Sequence, residues 1–329
     1  AMTNTDVVID CLQYNNWDRA LFQATRDSGV HTVHVTVSYW ENMQETLLNI
    51  SRWHRQFENH SDLIMQVRTA ADVIEAKASN RLGIVFGFQN CSPLNDDLGM
   101  VRILHELGVR FMQLSYNNQS SLATGCYEKN DPGITRFGEQ VIREMNRVGM
   151  VIDMSHSAEQ STLEAMALSS RPIAITHANP VFFHPALRNK STAVLQALAS
   201  SGGMLGLSLY PFHLKNGSDC SLEQFCEMVA DTVEVMGIDQ VGIGSDLCQN
   251  WGYETLEWMR SGRWTFDADH GEGSVDNLNW PEQPGWFRNS QDMKNIAQGL
   301  KQQGFSIEDI AKVMGNNWLA FFQNSFESG

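Results

Sequence analysis

Short apolar runs punctuate the chain, and between them apolar positions recur every three or four residues. The runs fall at 7–10, 30–37, 83–90, 110–116, 150–156, 172–177, 203–209 and 240–246, and most stop at a polar residue. VVID, GIVFGF, MVIDMSH, PIAITH and VGIGSD are apolar on both alternating faces. Parallel strands look like this when helices cover one side and a barrel core fills the other. The intervening stretches at 97–107, 137–148 and 158–168 have the spacing of crossover helices. Gly108 and Gly149 follow the first two, and Gly202 follows ALASS, as left-handed helix stops.

Strand, helix and stop repeated eight times predict a (β/α)₈ TIM barrel, one domain over 1–329. A doubly wound open sheet is the alternative, but no GxGxxG follows the first run to hold a dinucleotide. Three connections, 117–136, 210–221 and 247–288, exceed plain turns and fall where barrels carry loops over the mouth. The last holds five of the nine tryptophans: Trp251, Trp258, Trp264, Trp280 and Trp286. They either pack this excursion onto the barrel or line a pocket or an interface. Two C-terminal helices, 290–303 and 306–322, end the pattern, the second opening with the capping sequence SIED.

Composition narrows the partners. A formal charge of −15 opposes nucleic acid and anionic membrane surfaces, leaving small molecules or peptides. No run of eighteen apolar residues is present, and residues 1–10 lack the basic and apolar segments of a signal peptide, so a cytoplasmic location is expected. The six cysteines are scattered without a CxxC pair and read as reduced thiols.

A barrel gathers the polar residues at its strand ends into one mouth. Here that set is Asp10, Gln89, Asn90, Tyr116, Asn117, His156, His177 and Asp246. A lone strand-end histidine is usually a satisfied polar residue, but His156, His177 and Asp246 together offer the N, N, O donors that suit zinc. Asp246 ends an apolar strand, where a carboxylate serves as general base or metal ligand, or else caps the next helix. Arg188, in HPALRN, is either a solvated loop residue or a bidentate grip on a substrate carboxylate.

The segments MVIDMSH, PIAITHANP, HPALRN and VGIGSD resemble, in order and spacing, those of the membrane (renal) dipeptidase family of metal-dependent amidohydrolases. GMVRILHELGVRFMQLSYN, GITRFGEQVIREMNRVGMVIDMSH and MGNNWLAFF extend the likeness over nearly the whole chain. The resemblance implies a zinc hydrolase of dipeptides that uses a metal-bound hydroxide. It implies His156 and His177 as ligands, Arg188 as the substrate grip, Asp246 as the catalytic aspartate, and a homodimer. The chain departs from the family pattern where an IDGHND-like segment reads Ile9 to Tyr14 with both ligands missing. It departs again at Gln89, in place of a bridging glutamate, and at Tyr116, in place of a histidine.

These losses remove anionic ligands, so one ion held by His156, His177 and Asp246 is expected rather than two. Tyr116 can then donate to an oxyanion, with Gln89 and Asn117 beside the substrate. Three functions stay open: a one-metal hydrolase of a dipeptide or related carboxylate-bearing amide, a metal-free acid–base enzyme, and a non-catalytic binding protein.

Overall fold

The computed structural model describes residues 5–263 and 265–327. Its strands are β1 (Ile9–Gln13), β2 (Thr32–Ser38), β3 (Ile64–Gln66), β4 (Leu82–Phe88), β5 (Val109–Gln113), β6 (Val151–Asp153), β7 (Ala174–Ile175), β8 (Met204–Leu207) and β9 (Val241–Ile243). All pairings are parallel, in the order β2-β1-β9-β8-β7-β6-β5-β4, and a β2–β4 pairing closes the ring into an eight-stranded barrel. These eight strands fall within or overlap the eight apolar runs. The ninth, β3, pairs with Leu82 to Ile84 at the start of β4, whereas β5 joins β4 only from Phe86 onward.

The helices are α1 (Arg19–Asp27), α2 (Met43–Asn59), α3 (Ala70–Ala78), α4 (Gly99–Glu106), α5 (Arg136–Val148), α6 (Glu159–Leu168), α7 (Thr192–Ser200), α8 (Leu222–Met236), α9 (Tyr253–Ser261), α10 (Met293–Gln302), α11 (Ile307–Ala311) and α12 (Asn317–Ser325). The stops behave as expected: Gly108, Gly149 and Gly202 have φ of +104°, +91° and +78°, a region glycine enters without a Cβ penalty. No described helix is long and apolar enough to cross a membrane.

Two apolar layers hold the barrel. Outward-facing residues such as Val33, Ile84, Met112, Ile152 and Leu205 pack under the helices. Inward-facing Ile9, Cys11, Val85, Phe111, Val151, Ala174 and Met204 fill the interior, and Trp318, Phe321, Phe322 and Phe326 join them. Trp318 donates from Nε1 to Ile243 O at 3.2 Å. The expected helix 306–322 is broken: Ser306 caps it by accepting from Asp309 N at 3.1 Å, but residues 312–316 form a π turn around Gly315. A Cβ on Gly315 would lie 2.0 Å from Val7 O, so only glycine lets this turn approach β1.

Candidate active site

Most of the polar residues that end the strands meet in one cavity, but Asp10, which accepts from Ser245 N and Gln13 Nε2, and Asn90, which donates to Tyr39 O, do not line it. Gln89 follows β4, Tyr116 and Asn117 follow β5, His156 follows β6, Arg188 lies in the connection after β7, and Asp246 follows β9; all six line it. Its free volume is about 80 Å³, enough for several waters and suited to a small ligand. His177, directly after β7, is fully buried behind His156, with the two Nε2 atoms 3.1 Å apart.

Neighbouring hydrogen bonds set both imidazole tautomers. Asn117 Oδ1 accepts from His156 Nδ1 at 2.6 Å and also faces the Cys126 thiol. The Thr176 hydroxyl gives its proton to Asp153 Oδ2 at 2.6 Å and so accepts from His177 Nδ1 at 2.9 Å. Asp153 is itself buried and held by Ser155 Oγ at 2.6 Å. Burial, reinforced by the charge of Arg188, holds both histidines well below the usual imidazole range, so they are neutral. Each Nε2 therefore presents a lone pair to the other. Gln89 Oε1 adds a third acceptor 2.8 Å from His156 Nε2, because its amide nitrogen is committed to Thr36 Oγ1.

Three acceptors facing one another with no proton between them are a set of cation ligands. Two nitrogens bound to tetrahedral zinc at about 2.0–2.1 Å lie roughly 3.3 Å apart, near the spacing seen here. The residues thus fit one ion. They do not supply the expected trio, since no three His, Cys, Asp or Glu side chains among the described residues form a group that could hold a metal. Asp246 lines the cavity without joining the two histidines as a third ionisable ligand. At the two replaced positions of the first strand a second ion finds no ligand: Leu12 is buried in the apolar core, and Tyr14 accepts from the hydroxyl of Tyr39 at 2.9 Å. Tyr116 packs its ring on His156, centroids 4.3 Å apart.

Asp246 is not a helix cap, because the next helix, α9, starts behind Gly252. Its backbone is left-handed, φ +58°, and its amide donates to Leu12 O at 2.9 Å, which anchors the turn on β1. Among the described residues no donor reaches its carboxylate. Burial lifts its pKa to about 7, against the pull of Arg188 and with help from Asp10. Arg188 is not solvated either: it is 2% exposed and donates to Ser155 O and, at 3.0 Å, to His177 O.

Several cavity residues escaped the sequence reading: Tyr39, Tyr127, Tyr210, His213, Arg260, Asp269 and His270. All but Tyr39 stand in the three long connections expected over the mouth, Tyr127 in the first, Tyr210 and His213 in the second, and Arg260, Asp269 and His270 in the third, which was the one available signal; Tyr39 reaches the site through tertiary packing alone. Of the tryptophans in the last connection, Trp251 and Trp258 line a neighbouring cavity that shares Tyr14. Trp280 and Trp286 donate to Gly252 O and Cys220 O, which pins the excursion down. Trp264 lies outside the described residues.

Residues 15–256 match the family described as membrane dipeptidase, peptidase family M19. The crystal structure of an amidohydrolase from Pseudomonas aeruginosa is 33% identical with a TM-score of 0.91, covering 98% of this chain and 97% of that one. A Rhodobacter sphaeroides metallopeptidase, solved with a phosphinate mimic of the dipeptide L-Ala-D-Ala, shares the fold at 16% identity and TM-score 0.78, covering 98% of this chain and all of its own. Dipeptidase tcpJ of Claviceps purpurea is 26% identical over 280 residues, 84% of this chain. The chain spans 59% of that relative's length. With the family model matched over well more than half of its residues, the chain belongs to the membrane dipeptidase family.

Proposed function

We propose that this protein is a metal-dependent hydrolase that cleaves the amide of a dipeptide or a related carboxylate-bearing substrate, using one divalent ion. The observation that carries the reading is the convergence of the His156 and His177 lone pairs with Gln89 Oε1 in the cavity that Asp246 also lines. These three residues would hold the ion, zinc by the chemistry of its nitrogen donors, and the ion would supply Lewis acidity toward the amide carbonyl and the attacking water.

The chain's own residues perform the rest. Asp246, with its pKa raised to about 7, takes a proton from water and returns it to the leaving amine. Asn117 and Thr176 fix the two imidazoles; Gln89 and Asn117, expected beside the substrate, are engaged with His156 as well as lining the cavity. Tyr116, whose hydroxyl stays protonated because burial pushes its pKa far up, can donate to the developing oxyanion. Arg188 offers a cation to the substrate carboxylate. Zinc-dependent release of amino acid from dipeptides and N-acyl amino acids tests the reading, and no hydrolysis of either class with zinc bound would reject it.

A metal-free acid–base enzyme is the second reading, favoured by the missing third ionisable ligand. Six free cysteines suit a reducing compartment and support the cytoplasm as the location.

A further inference from the structure

The cavity holds a second guanidinium for which the proposed chemistry has no use. Arg260 comes from the last turn of α9 and lines the wall that the connection after β8 also builds. Among the described residues its Nη2 is buried with no hydrogen-bond partner within 3.5 Å, its Nη1 has a long contact, 3.4 Å, to His270 Nδ1, and the Tyr210 phenol stands beside it. The ion pairs among the described residues involve neither Arg188 nor Arg260. Asp269 shares the wall, but its Oδ1 accepts from Gly271 N at 3.0 Å. A guanidinium whose Nη2 is buried and unmet among the described residues, with no carboxylate paired to it, marks a place where something else brings the acceptor.

A neutral imidazole stands on the same wall. The Ser208 oxygen accepts from Tyr210 N at 3.1 Å and lies in hydrogen-bond contact with His213 Nδ1 at 2.7 Å, which fixes the imidazole. Its Nε2 has no hydrogen-bond partner among the described residues, and the side chain lines the cavity, so that nitrogen is available to a ligand. Tyr210 packs on His213, ring centroids 5.3 Å apart, and its phenol feels both the charge of Arg260 and a hydrogen bond from that arginine's side chain. Gly273 lets the following segment close over this corner, since a Cβ there would come 3.3 Å from Arg260 Nη2 and 3.1 Å from Phe212.

We propose that Arg260, with His213 and Tyr210, forms a second anion subsite, so that the substrate is a small amide bearing two carboxylates, one met by Arg188 and the other by Arg260. The inference rests on reading this cavity as the substrate site. It uses binding alone, with no bond made or broken.

Calorimetric titration of the zinc-supplemented full chain with glutarate and with valerate, acids of equal length, provides the test. The diacid binds about tenfold or more tightly, the increment expected of one extra charge-assisted contact. Arg260→Gln erases most of that preference, Arg260→Lys keeps part of it, and circular dichroism verifies the fold of each. Arg188→Gln weakens both acids. Equal affinity for the two acids, or a preference that survives Arg260→Gln, overturns the subsite even where zinc-dependent hydrolysis holds. If Arg188→Gln leaves valerate binding intact while Arg260→Gln still removes the preference, the subsite stands and the role given to Arg188 falls.

Discussion

Asp246 and Arg188 carry opposite charges into the same cavity without pairing within ion-pair distance, and that separation leaves each free for substrate. Asp246→Asn removes the base while keeping size and shape. Hydrolysis should fall by about 10²–10⁴-fold with zinc content unchanged, measured as kcat and as metal per chain. Arg188 holds the ends of β6 and β7 together through Ser155 O and His177 O as well as facing the ligand. Arg188→Ala should therefore cost a few kcal/mol of binding for carboxylate ligands and also lower the melting temperature. A variant that binds weakly yet melts like the parent would show that its structural bonds are dispensable. Whereas Arg188, well beyond β7, was singled out by the family resemblance, the sequence made His156, His177 and Asp246 legible because each stands close behind a strand end. It hid Arg260 and the Tyr39–Tyr14 pair, because nothing local in a helix's last turn or a strand's edge announces which cavity it will meet.

At the scale of elements, the eight barrel strands were legible because buried parallel strands are apolar on both faces. Two features were not. Strand β3 has three residues, too few to show a period, and it depends on the first half of β4 being left unpaired by β5. The π turn at 312–316 leaves no mark on the amphipathic pattern, and its cause is the contact of Gly315 with Val7. Gly315→Ala should destabilise the fold by about 1–3 kcal/mol through overpacking, read from denaturant unfolding. An unchanged midpoint would mean that the turn shifts away from β1 at little cost. The long connection after β9 was legible as an excursion over the mouth, but which of its residues reach the cavity was not. Glu272 accepts from Leu187 N, beside Arg188, and Arg263 lies over Trp258 with 5.8 Å to the ring centroid.

The whole molecule carries its buried ionisable groups mostly in neutral form, and this sets its response to acid. Burial lowers His31, His34 and His105 to about 4, and holds His156, His177 and His213 well below the usual range. It also raises the carboxyls of Asp10, Glu41, Asp153 and Asp246. Between pH 6.5 and 4 the unfolded chain binds protons on the six histidines that the folded state refuses, so this term lowers stability as pH falls. The four carboxyls act the other way, because the folded state keeps protons that the unfolded chain loses. The histidines outnumber them, so the melting temperature of chelator-treated protein should drop from pH 6.5 to pH 4.5. A flat or rising profile would mean that the carboxyls dominate.

One ion between His156 and His177 is the claim on which the functional account stands. Zinc titration of metal-free protein by calorimetry, with His177→Ala in parallel, tests it most directly. The account predicts about one site per chain, lost in the variant while circular dichroism stays unchanged, because His177, though fully buried, lies outside the two apolar layers that hold the barrel. Two sites, no site, or a site that survives His177→Ala would contradict it.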